Sequence, residues 1–354
     1  MTTASQPPGR SVVAVDCNGA DLGPAEVAAG ARIAGESGVR TILFGPADQI
    51  RAAGERAQVV DAPLSIAKAA DPAAAARTTP QASIVQAARA VADGRAQALV
   101  CAGGTGAALA AGIFNIKRAH GVYRPALALP IPVPGNHVTL LDVGANAEAR
   151  REHLVQFAFM GAALAATVLG VSAPRVGLLS NGEESDRGGR LLVEVHAELA
   201  TRMNGASGRF VGNVEGGDIV SGAADVIVTD GLTGNIALKA VESSSQLVLR
   251  AVRDAATASL RGRVGGLLLR PALRDFRDEV DPEAAGGAYL LGLRQLGVVP
   301  HGRFERRGFA EAIARAERGA SDDIVGRTHE ALRAAGALRS APVSAAERKV
   351  SNQE

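Results

Sequence analysis

The sequence has little of several features that mark specialised classes of protein. It contains no tryptophan, and only 3% of its 354 residues are aromatic, so it lacks the stacking platforms that single-stranded nucleic acids require. A net charge of +2 likewise argues against a nucleic-acid partner. Its two cysteines, Cys17 and Cys101, form neither a disulfide framework nor a zinc-binding spacing, which is typical of a reducing cytoplasm.

Segments that direct a chain to a membrane are also missing. Residues 1–10 are polar and lack the apolar stretch of a signal peptide, so we expect them to form a disordered tail. No apolar run reaches the roughly 18 residues that a membrane span needs. Residues 338–354 are small and polar, which predicts a second tail. We therefore expect a globular cytoplasmic protein.

Extended apolar runs alternate with alanine-rich helical stretches along most of the chain. The predicted strands are 11–15, 40–44, 97–101, 138–142, 175–179 and 225–229. This alternation predicts an α/β fold of three layers, α/β/α, in which helices cover both faces of a mostly parallel sheet. No linker rich in proline, glycine or serine divides the middle, so residues 11–337 are predicted to form one domain. A helical segment of about 240–285 is expected to protrude from it; a two-lobed arrangement is the alternative.

Polar residues and glycines follow four of the predicted strands. They are Asp16 and Asn18; Gly104, Thr105 and Gly106; Asp142 and Asn146; and Asp230, Thr233 and Gly234. Because the carboxyl ends of parallel strands lie on one side of a sheet, we expect these loops to lie together. Glycine loops and helix N-termini expose backbone N–H groups, so the four loops together predict an anion site. Turn geometry alone is the alternative for each loop.

The anion is predicted to be small. A dinucleotide site would need G-x-G-x-x-G after the first strand, and the loop after Asp16 lacks it. The P-loop pattern G-x-x-x-x-G-K-[ST] is absent as well. A phosphate or a phosphate-like group fits these loops better than a nucleotide.

Four further residues are candidates for the chemistry: His153, Lys239, Asn235 and Arg187. His153 follows a strand end by one helical turn, although a structural histidine is the common alternative. Lys239 is one of only four lysines, which suggests a point-charge role rather than a solvated surface charge. Arg187 belongs to the loop 180–190, a lid or a metal site, but no second ligand cluster supports a metal. Cys101 could attack a thioester, although a buried apolar thiol is more common.

Eight ordered blocks of sequence resemble the phosphate acyltransferases of glycerophospholipid synthesis. The blocks are AGGTGA (102–107), RPALA (124–128), LLDVGAN (140–146), EHLVQFAFMG (152–161), RVGLLSNGEE (175–184), FVGNVEG (210–216), DGLTGNIALK (230–239) and GGAYLLGL (286–293). They span nearly the whole chain. The resemblance implies an enzyme that converts an acyl–acyl-carrier-protein thioester and inorganic phosphate into acyl phosphate. It also implies a three-layer α/β/α fold, a homodimer, loose membrane association and no organic cofactor.

That reaction assigns roles to the candidate residues. Phosphate is the nucleophile and must be held beside the thioester carbonyl. Asn146, Asn235 and the amides at Thr105–Gly106 or Gly234 are candidate donors to the oxyanion. Lys239 and Arg187 would offset negative charge and His153 would orient phosphate. Asp142 is expected to fix its turn, with Asn146 and His153 facing the reacting group.

The chain departs from the family pattern at four places. It has Asp16-Cys17-Asn18-Gly19-Ala20-Asp21 where Asp-Ala-Met-Gly-Gly-Asp is usual, and Gly104 where an asparagine is expected. Arg187 replaces a lysine, and His301-Gly302-Arg303-Phe304 replaces His-Gly-Ser-Ser. Two alternatives therefore stay open: a non-catalytic scaffold or regulator of lipid synthesis, and a phosphotransacetylase-like enzyme that uses acyl-coenzyme A.

The segment 263–280 combines an apolar tip with a basic collar. Leu267, Leu268 and Leu269 are contiguous, so they cannot all face one side of a helix, and five arginines of 261–277 surround them. The segment could be buried in a dimer, or it could dock reversibly on an anionic membrane or on the acidic carrier protein.

Overall fold

The computed structural model describes residues 11–133, 136–205, 208–279, 281 and 283–339. The predicted tail 1–10 lies outside these residues, as does most of the tail 338–354. Leu338 and Arg339 are described; Leu338 packs against the core, and the Arg339 N–H donates a hydrogen bond to the Gly121 carbonyl over 2.8 Å. No helix in the described part of the chain is long and apolar enough to cross a membrane.

Strands and helices alternate along the described chain. The strands are β1 (Val12–Asp16), β2 (Arg40–Gly45), β3 (Ala57–Asp61), β4 (Ala98–Cys101), β5 (Ala126–Val133), β6 (Asn136–Leu141), β7 (Arg175–Leu179), β8 (Asn204–Gly205), β9 (Gly208–Val214), β10 (Val226–Val228), β11 (Ala288–Leu291) and β12 (Leu296–Val299). The helices are α1 (Pro24–Glu36), α2 (Ala47–Ile50), α3 (Pro72–Thr78), α4 (Ser83–Ala92), α5 (Thr105–Ala111), α6 (Arg151–Val168), α7 (Gly189–Arg202), α8 (Gly231–Thr257), α9 (Leu260–Glu279), α10 (Arg306–Ser321) and α11 (Ile324–Ala334). All six predicted strands are present, within one or two residues at their ends.

The strands form one sheet that is buried on both faces. Alternate residues of β1 belong to different apolar clusters: Val13 and Val15 face one side, and Ala14 faces the other. On the first side α1 packs against α10, and α6 packs against α7 and α11. On the second side α4 packs against α5 and β1. The predicted three-layer α/β/α fold is therefore confirmed.

The strand order is β3-β2-β1-β4-β12-β11-β5-β6-β10-β7-β9-β8. The neighbours of β1 are parallel to it, and so are those of β10, but β11 is antiparallel to both β12 and β5, and β5 is antiparallel to β6. Going across the sheet from β4 to β6, strand direction reverses at three antiparallel pairings: β12 with β11, β11 with β5, and β5 with β6. Strands β4 and β6 therefore run in opposite directions. The expectation that all four polar strand ends lie on one side is therefore wrong. Asp16 and Gly104 follow strands of one direction, and Asp142 and Asp230 follow strands of the other.

Helices α8 and α9 pack against each other as a helical hairpin that carries large exposed apolar side chains. Leu247 is 63% exposed, Leu260 82% and Leu268 78%. The first helix ends at Thr257, and Pro271 lies inside the second helix. A proline removes one helical hydrogen bond, and on this exposed helix the unpaired carbonyl can be solvated.

Candidate active site

A cavity of about 370 Å³ lies along β5. Thr105, Gly144 and Asn235 all line it, so loops that follow strands of both directions meet here. Its apolar wall comes from β5, from the residues around β11 and β12, from Val143 after β6 and from the apolar side chains of helix α8. Its polar groups come from helix α8 and from strand ends. The lining residues are Thr105, Leu127, Leu129, Pro130, Ile131, Pro132, Val143, Gly144, Asn235, Leu238, Lys239, Val241, Glu242, Ala285, Gly287, Ala288, Val299, Pro300, His301 and Phe304. The cavity thus combines a long apolar strip with a few charged and amide side chains, as small-molecule sites do.

Helix α8 covers the cavity with one of its faces. Asn235, Leu238, Lys239 and Glu242 line it, and their spacing of three and four residues places them on the same side of a helix. Asn235 lies near the start of the helix, and Lys239 follows one turn later. Two of the predicted catalytic residues, Asn235 and Lys239, are therefore brought to one cavity, together with the predicted binding residue Thr105.

His301 stands at the cavity rim and was not among the residues predicted from the sequence. Its Nδ1 atom accepts a hydrogen bond from the Arg303 backbone N–H over 3.3 Å, which places the proton of the neutral ring on Nε2. The ring stacks on Phe304 with centroids 6.3 Å apart. Partial burial lowers the pKa of His301; Arg303 and Lys239 act in the same direction, while Glu242 and Asp21 oppose it. The neutral ring can donate a hydrogen bond through Nε2. The sequence feature that could have pointed to His301 is its place directly after the short apolar run Leu296–Val299 and Pro300.

The Asp142 carboxylate fixes the turn after β6, as predicted. One oxygen accepts hydrogen bonds from the N–H groups of Leu127, Gly144 and Ala145, over 2.9 to 3.1 Å. The other accepts from the backbone and the side-chain amide of Asn146, both over 2.8 Å. Burial raises the pKa of Asp142, and these hydrogen bonds oppose the rise.

The side-chain amide of Asn146 is engaged inside the protein. Besides the Asp142 carboxylate, Nδ2 donates to the carbonyl of Pro125 over 2.8 Å, so both of its N–H bonds are used. The side chain lies within the turn and does not line the cavity. Gly144 of the same turn does line it.

Helix α8 begins against this turn. The Gly231 N–H donates to the Asn146 carbonyl over 2.7 Å. The Asp230 carboxylate caps the helix, accepting from the N–H and the hydroxyl of Thr233, each over 2.8 Å. A carboxylate therefore already occupies this helix N-terminus, so Asp230 and Thr233 orient α8 rather than line the cavity.

A buried polar network lies behind the loop after β4. The Cys101 thiol is 3.6 Å from one Asp16 oxygen, and the other oxygen accepts from the Asn18 N–H over 3.2 Å. The Asn18 amide donates to the Ser83 hydroxyl over 2.9 Å and to the Ala62 carbonyl over 3.1 Å. Burial raises the pKa of Asp16 to about 7. Burial, and secondarily the Asp16 carboxylate, also raises the pKa of Cys101, which makes it a poor nucleophile.

The glycine loop 103–106 is packed tightly against neighbouring backbone. A Cβ atom added at Gly104 would lie 2.3 Å from the Ala67 carbonyl oxygen, so the asparagine of the family pattern does not fit here without movement. One at Gly106 would lie 2.9 Å from the Pro72 ring. Thr105 begins helix α5, whose N-terminus has no side-chain cap, and lines the cavity.

Two predicted catalytic residues do not line the cavity. His153 is 8% exposed in the first turn of α6, where its Nδ1 accepts from the Arg150 N–H over 3.1 Å. Burial lowers the pKa of His153, and its ring lies beside Tyr123 and Phe157. Arg187 is exposed and makes an ion pair of 3.3 Å with Glu184 of its own loop. The sequence features that suggested these residues, a strand end before His153 and a charged glycine loop around Arg187, do not show whether a side chain lines the cavity.

Comparisons with known proteins agree over almost the whole chain. Residues 11–327 match the family described as fatty acid synthesis protein. A phosphate acyltransferase from Streptococcus equi subsp. equi is 39% identical over 325 residues, which cover 90% of this chain and 96% of that protein. A phosphate acyltransferase from Thermus thermophilus is 40% identical over 326 residues, covering 91% of this chain and 98% of that protein.

Solved structures show the same fold at lower identity. The EutD phosphotransacetylase from Staphylococcus aureus superposes with a TM-score of 0.57 at 15% identity, covering 88% of this chain and 95% of its own. A phosphotransacetylase from Streptococcus pyogenes gives 0.55 at 16% identity, covering 87% and 94%. The sequence relatives, at more than twice that identity, decide the family. This chain belongs to the fatty acid synthesis protein family and, within it, to the phosphate acyltransferases.

Proposed function

We propose that the protein transfers an acyl group from acyl-carrier protein to inorganic phosphate, forming acyl phosphate for phospholipid synthesis. The observation that carries the proposal is the cavity along β5, where an apolar strip adjoins Lys239, His301, Asn235 and Thr105. The strip suits an acyl chain, and the polar groups suit an anion and a carbonyl oxygen. No organic cofactor and no metal ion enters this proposal.

The reaction is a single acyl transfer. The Lys239 ammonium and the Nε2–H of His301 hold phosphate beside the thioester, which supplies proximity and offsets charge. A phosphate oxygen attacks the carbonyl carbon, the C–O bond forms and the C–S bond then breaks, releasing the thiolate of the carrier. With an ordinary thiol pKa near 8.5, this leaving group needs little help from an acid.

The developing oxyanion needs hydrogen-bond donors. The Asn235 side-chain amide and the backbone N–H groups at Thr105 and Gly106 are assigned this part, since the uncapped start of α5 presents free donors. Removal of one such donor typically lowers the rate by about 10²–10³-fold.

In this proposal the remaining predicted residues hold the catalytic groups in place and do not contact the substrate. Asp142, Asn146, Asp230, Thr233 and Gly234 hold the start of α8 and thereby Asn235 and Lys239. Asp16, Asn18 and Gly104 hold the loop that carries Thr105 and Gly106. We assign no substrate contact to His153 or to Arg187.

The acyl donor distinguishes the proposed enzyme from a phosphotransacetylase-like enzyme. Acyl-coenzyme A is the alternative, and the fold shared with phosphotransacetylases is the observation that favours it. Purified protein is incubated with phosphate and either acyl-acyl-carrier protein or acyl-coenzyme A, and acyl phosphate is trapped with hydroxylamine. We expect hydroxamate from the carrier-protein donor, at a rate well above that from acyl-coenzyme A. If neither donor gives hydroxamate, the proposed activity is contradicted and the alternative of a non-catalytic scaffold or regulator is supported.

The helical hairpin α8–α9 is proposed to serve assembly and attachment of a cytoplasmic enzyme. A long helix with exposed apolar residues such as Leu247 and Val248 needs a partner surface, which supports a homodimer through about 236–285. The tip, with Leu268 and Leu269 exposed among arginines, fits reversible contact with an anionic membrane. Light scattering at micromolar concentration should give twice the mass of one chain; a monomer would contradict the dimer.

A further inference from the structure

Two opposite charges lie on neighbouring turns of the cavity-lining face of α8. Lys239 and Glu242 are three residues apart, a spacing at which helical side chains reach each other. The Glu242 side chain is only 16% exposed. A carboxylate in this position can pair with the lysine, and it also repels an anionic substrate.

Glu242 is paired with a different cation. The Arg303 guanidinium donates a hydrogen bond to the Glu242 carboxylate over 3.1 Å, although Arg303 belongs to the turn after β12. Within the described residues, the ion pairs do not include Lys239. Lys239 and Glu242 thus lie on the same face of the helix but do not form an ion pair with each other.

The turn that carries Arg303 is held in place by its backbone. The Phe304 N–H donates to the His301 carbonyl over 3.0 Å, and the Asp21 N–H donates to the Gly302 carbonyl over 2.8 Å. The Phe304 side chain is buried beneath the His301 ring. The guanidinium therefore extends to α8 from a fixed base, so it can hold the glutamate in one position.

We propose that Arg303 is a positioning residue that holds the Glu242 carboxylate and thereby leaves the Lys239 ammonium free for the substrate phosphate. The inference rests on the proposed function, because it assigns phosphate to Lys239. It gives a role to a position at which this chain departs from its family pattern. Removal of Arg303 releases Glu242, which then pairs with Lys239 and opposes phosphate.

The kinetic test compares Arg303→Ala, Glu242→Gln and the double variant, with phosphate as the varied substrate. Arg303→Ala should raise KM for phosphate about tenfold, or about 1.4 kcal/mol, and change kcat little. Glu242→Gln should not raise KM for phosphate, because no carboxylate is left to pair with Lys239 or to repel the anion. The double variant should return KM to within about twofold of the wild-type value. If the double variant stays as weak as Arg303→Ala, Arg303 contacts phosphate or only supports the turn, and the proposal is overturned.

A second readout needs no turnover, so it separates this inference from the proposed function. The chain has only four lysines, so reductive ¹³C-methylation gives few side-chain resonances, and Lys239→Arg assigns the relevant one. At fixed pH the Lys239 resonance should move in Arg303→Ala and return in the double variant. An unmoved resonance overturns the proposal even if the enzyme is active, and a moved one supports it even if no acyl phosphate forms.

A matched control removes an arginine–glutamate pair elsewhere. Arg333 and Glu330 form an exposed pair on α11, away from the cavity lining. Arg333→Ala should change neither KM for phosphate nor the Lys239 resonance. An equal response in this control would show that the effect does not come from the Arg303–Glu242 pair.

Discussion

The backbone of Gly234 lies so close to the carbonyl group of Asp142 that a Cβ atom at position 234 would sit 1.9 Å from that oxygen. The start of α8 and the turn after β6 are therefore in backbone contact. Any side chain at 234 pushes the helix away from the turn, and Asn235 and Lys239 move with it. The glycine sets the position of the polar cavity wall.

We expect Gly234→Ala to lower the free energy of unfolding by about 1–3 kcal/mol, the usual cost of forcing extra atoms into a packed site. Acyl-phosphate formation should fall as well, because the helix face is displaced. Denaturant unfolding and the hydroxylamine assay measure the two effects. Gly265→Ala is the control: a Cβ atom there meets nothing within 4 Å, and alanine favours a helix by up to about 1 kcal/mol. Equal behaviour of the two variants would show that α8 adjusts freely.

Lys239→Ala should lower acyl-phosphate formation at least about tenfold while the fold persists, because a charge facing the phosphate is lost. The measurement is the initial rate over a range of phosphate concentrations, with circular dichroism to check the fold. Lys117→Ala, at an exposed lysine outside the cavity lining, should leave the rate unchanged. Unaltered phosphate kinetics in Lys239→Ala would remove this lysine from the site.

Asp16 should make stability depend on pH. Burial raises its pKa from an ordinary value near 3.8 to about 7, so between these values the folded protein keeps a proton that the unfolded chain has lost. Stability from this group is thus fully present below about pH 4 and is lost as the pH rises through 7, at up to about 1.4 kcal/mol per pH unit.

The Asp16→Asn variant removes this titration and keeps the shape of the side chain. Urea unfolding at pH 5 and pH 8 should show that the wild type loses more stability than Asp16→Asn over this interval. Asp186→Asn, at an exposed aspartate, should follow the wild type. A wild-type difference that Asp16→Asn retains in full would assign the pH dependence to other groups.

The tip of the helical hairpin should bind anionic vesicles. Leu268 is 78% and Leu269 57% exposed, and nearby basic residues each add about 1 kcal/mol at such a surface. Leu268→Glu/Leu269→Glu should lose co-sedimentation with anionic vesicles at low salt, whereas Leu64→Glu, at an exposed leucine outside the hairpin, should keep it. Equal binding of wild type and the double variant, or no binding of either, contradicts membrane contact.

Six strands were predictable because each is a short apolar run next to helical stretches. The parallel strands β3, β9 and β12 were not predicted. β5 was missed because Pro130 and Pro132 interrupt its sequence, and proline normally argues against a central strand. The register explains the exception: β11 pairs only with residues 126–128, so both prolines lie beyond it and pair on one side with β6. Without β5 and the short β11, the reversal of strand direction could not be foreseen.

Part of the candidate site was predictable because some of its residues follow strands that the sequence reveals. Asn235, Lys239 and Thr105 follow recognisable strand ends, and the structure brings them to one cavity. Asn146 and His153 have the same kind of sequence setting, but both side chains form hydrogen bonds with the backbone, of Pro125 and Arg150 respectively, that the sequence did not indicate. Glu242 and His301 come from segments far apart in the chain, and no local sequence pattern predicts that both line the cavity.

The insertion of β12 between β4 and β11 also affects how the chain is made. Synthesis from the N-terminus completes β1 to β4 early, and β4 then has an unpaired edge until Leu296–Val299 leaves the ribosome. An open edge of apolar strand is a template for pairing with other chains. A polypeptide that stops before β12 should therefore aggregate rather than accumulate as a stable half-protein.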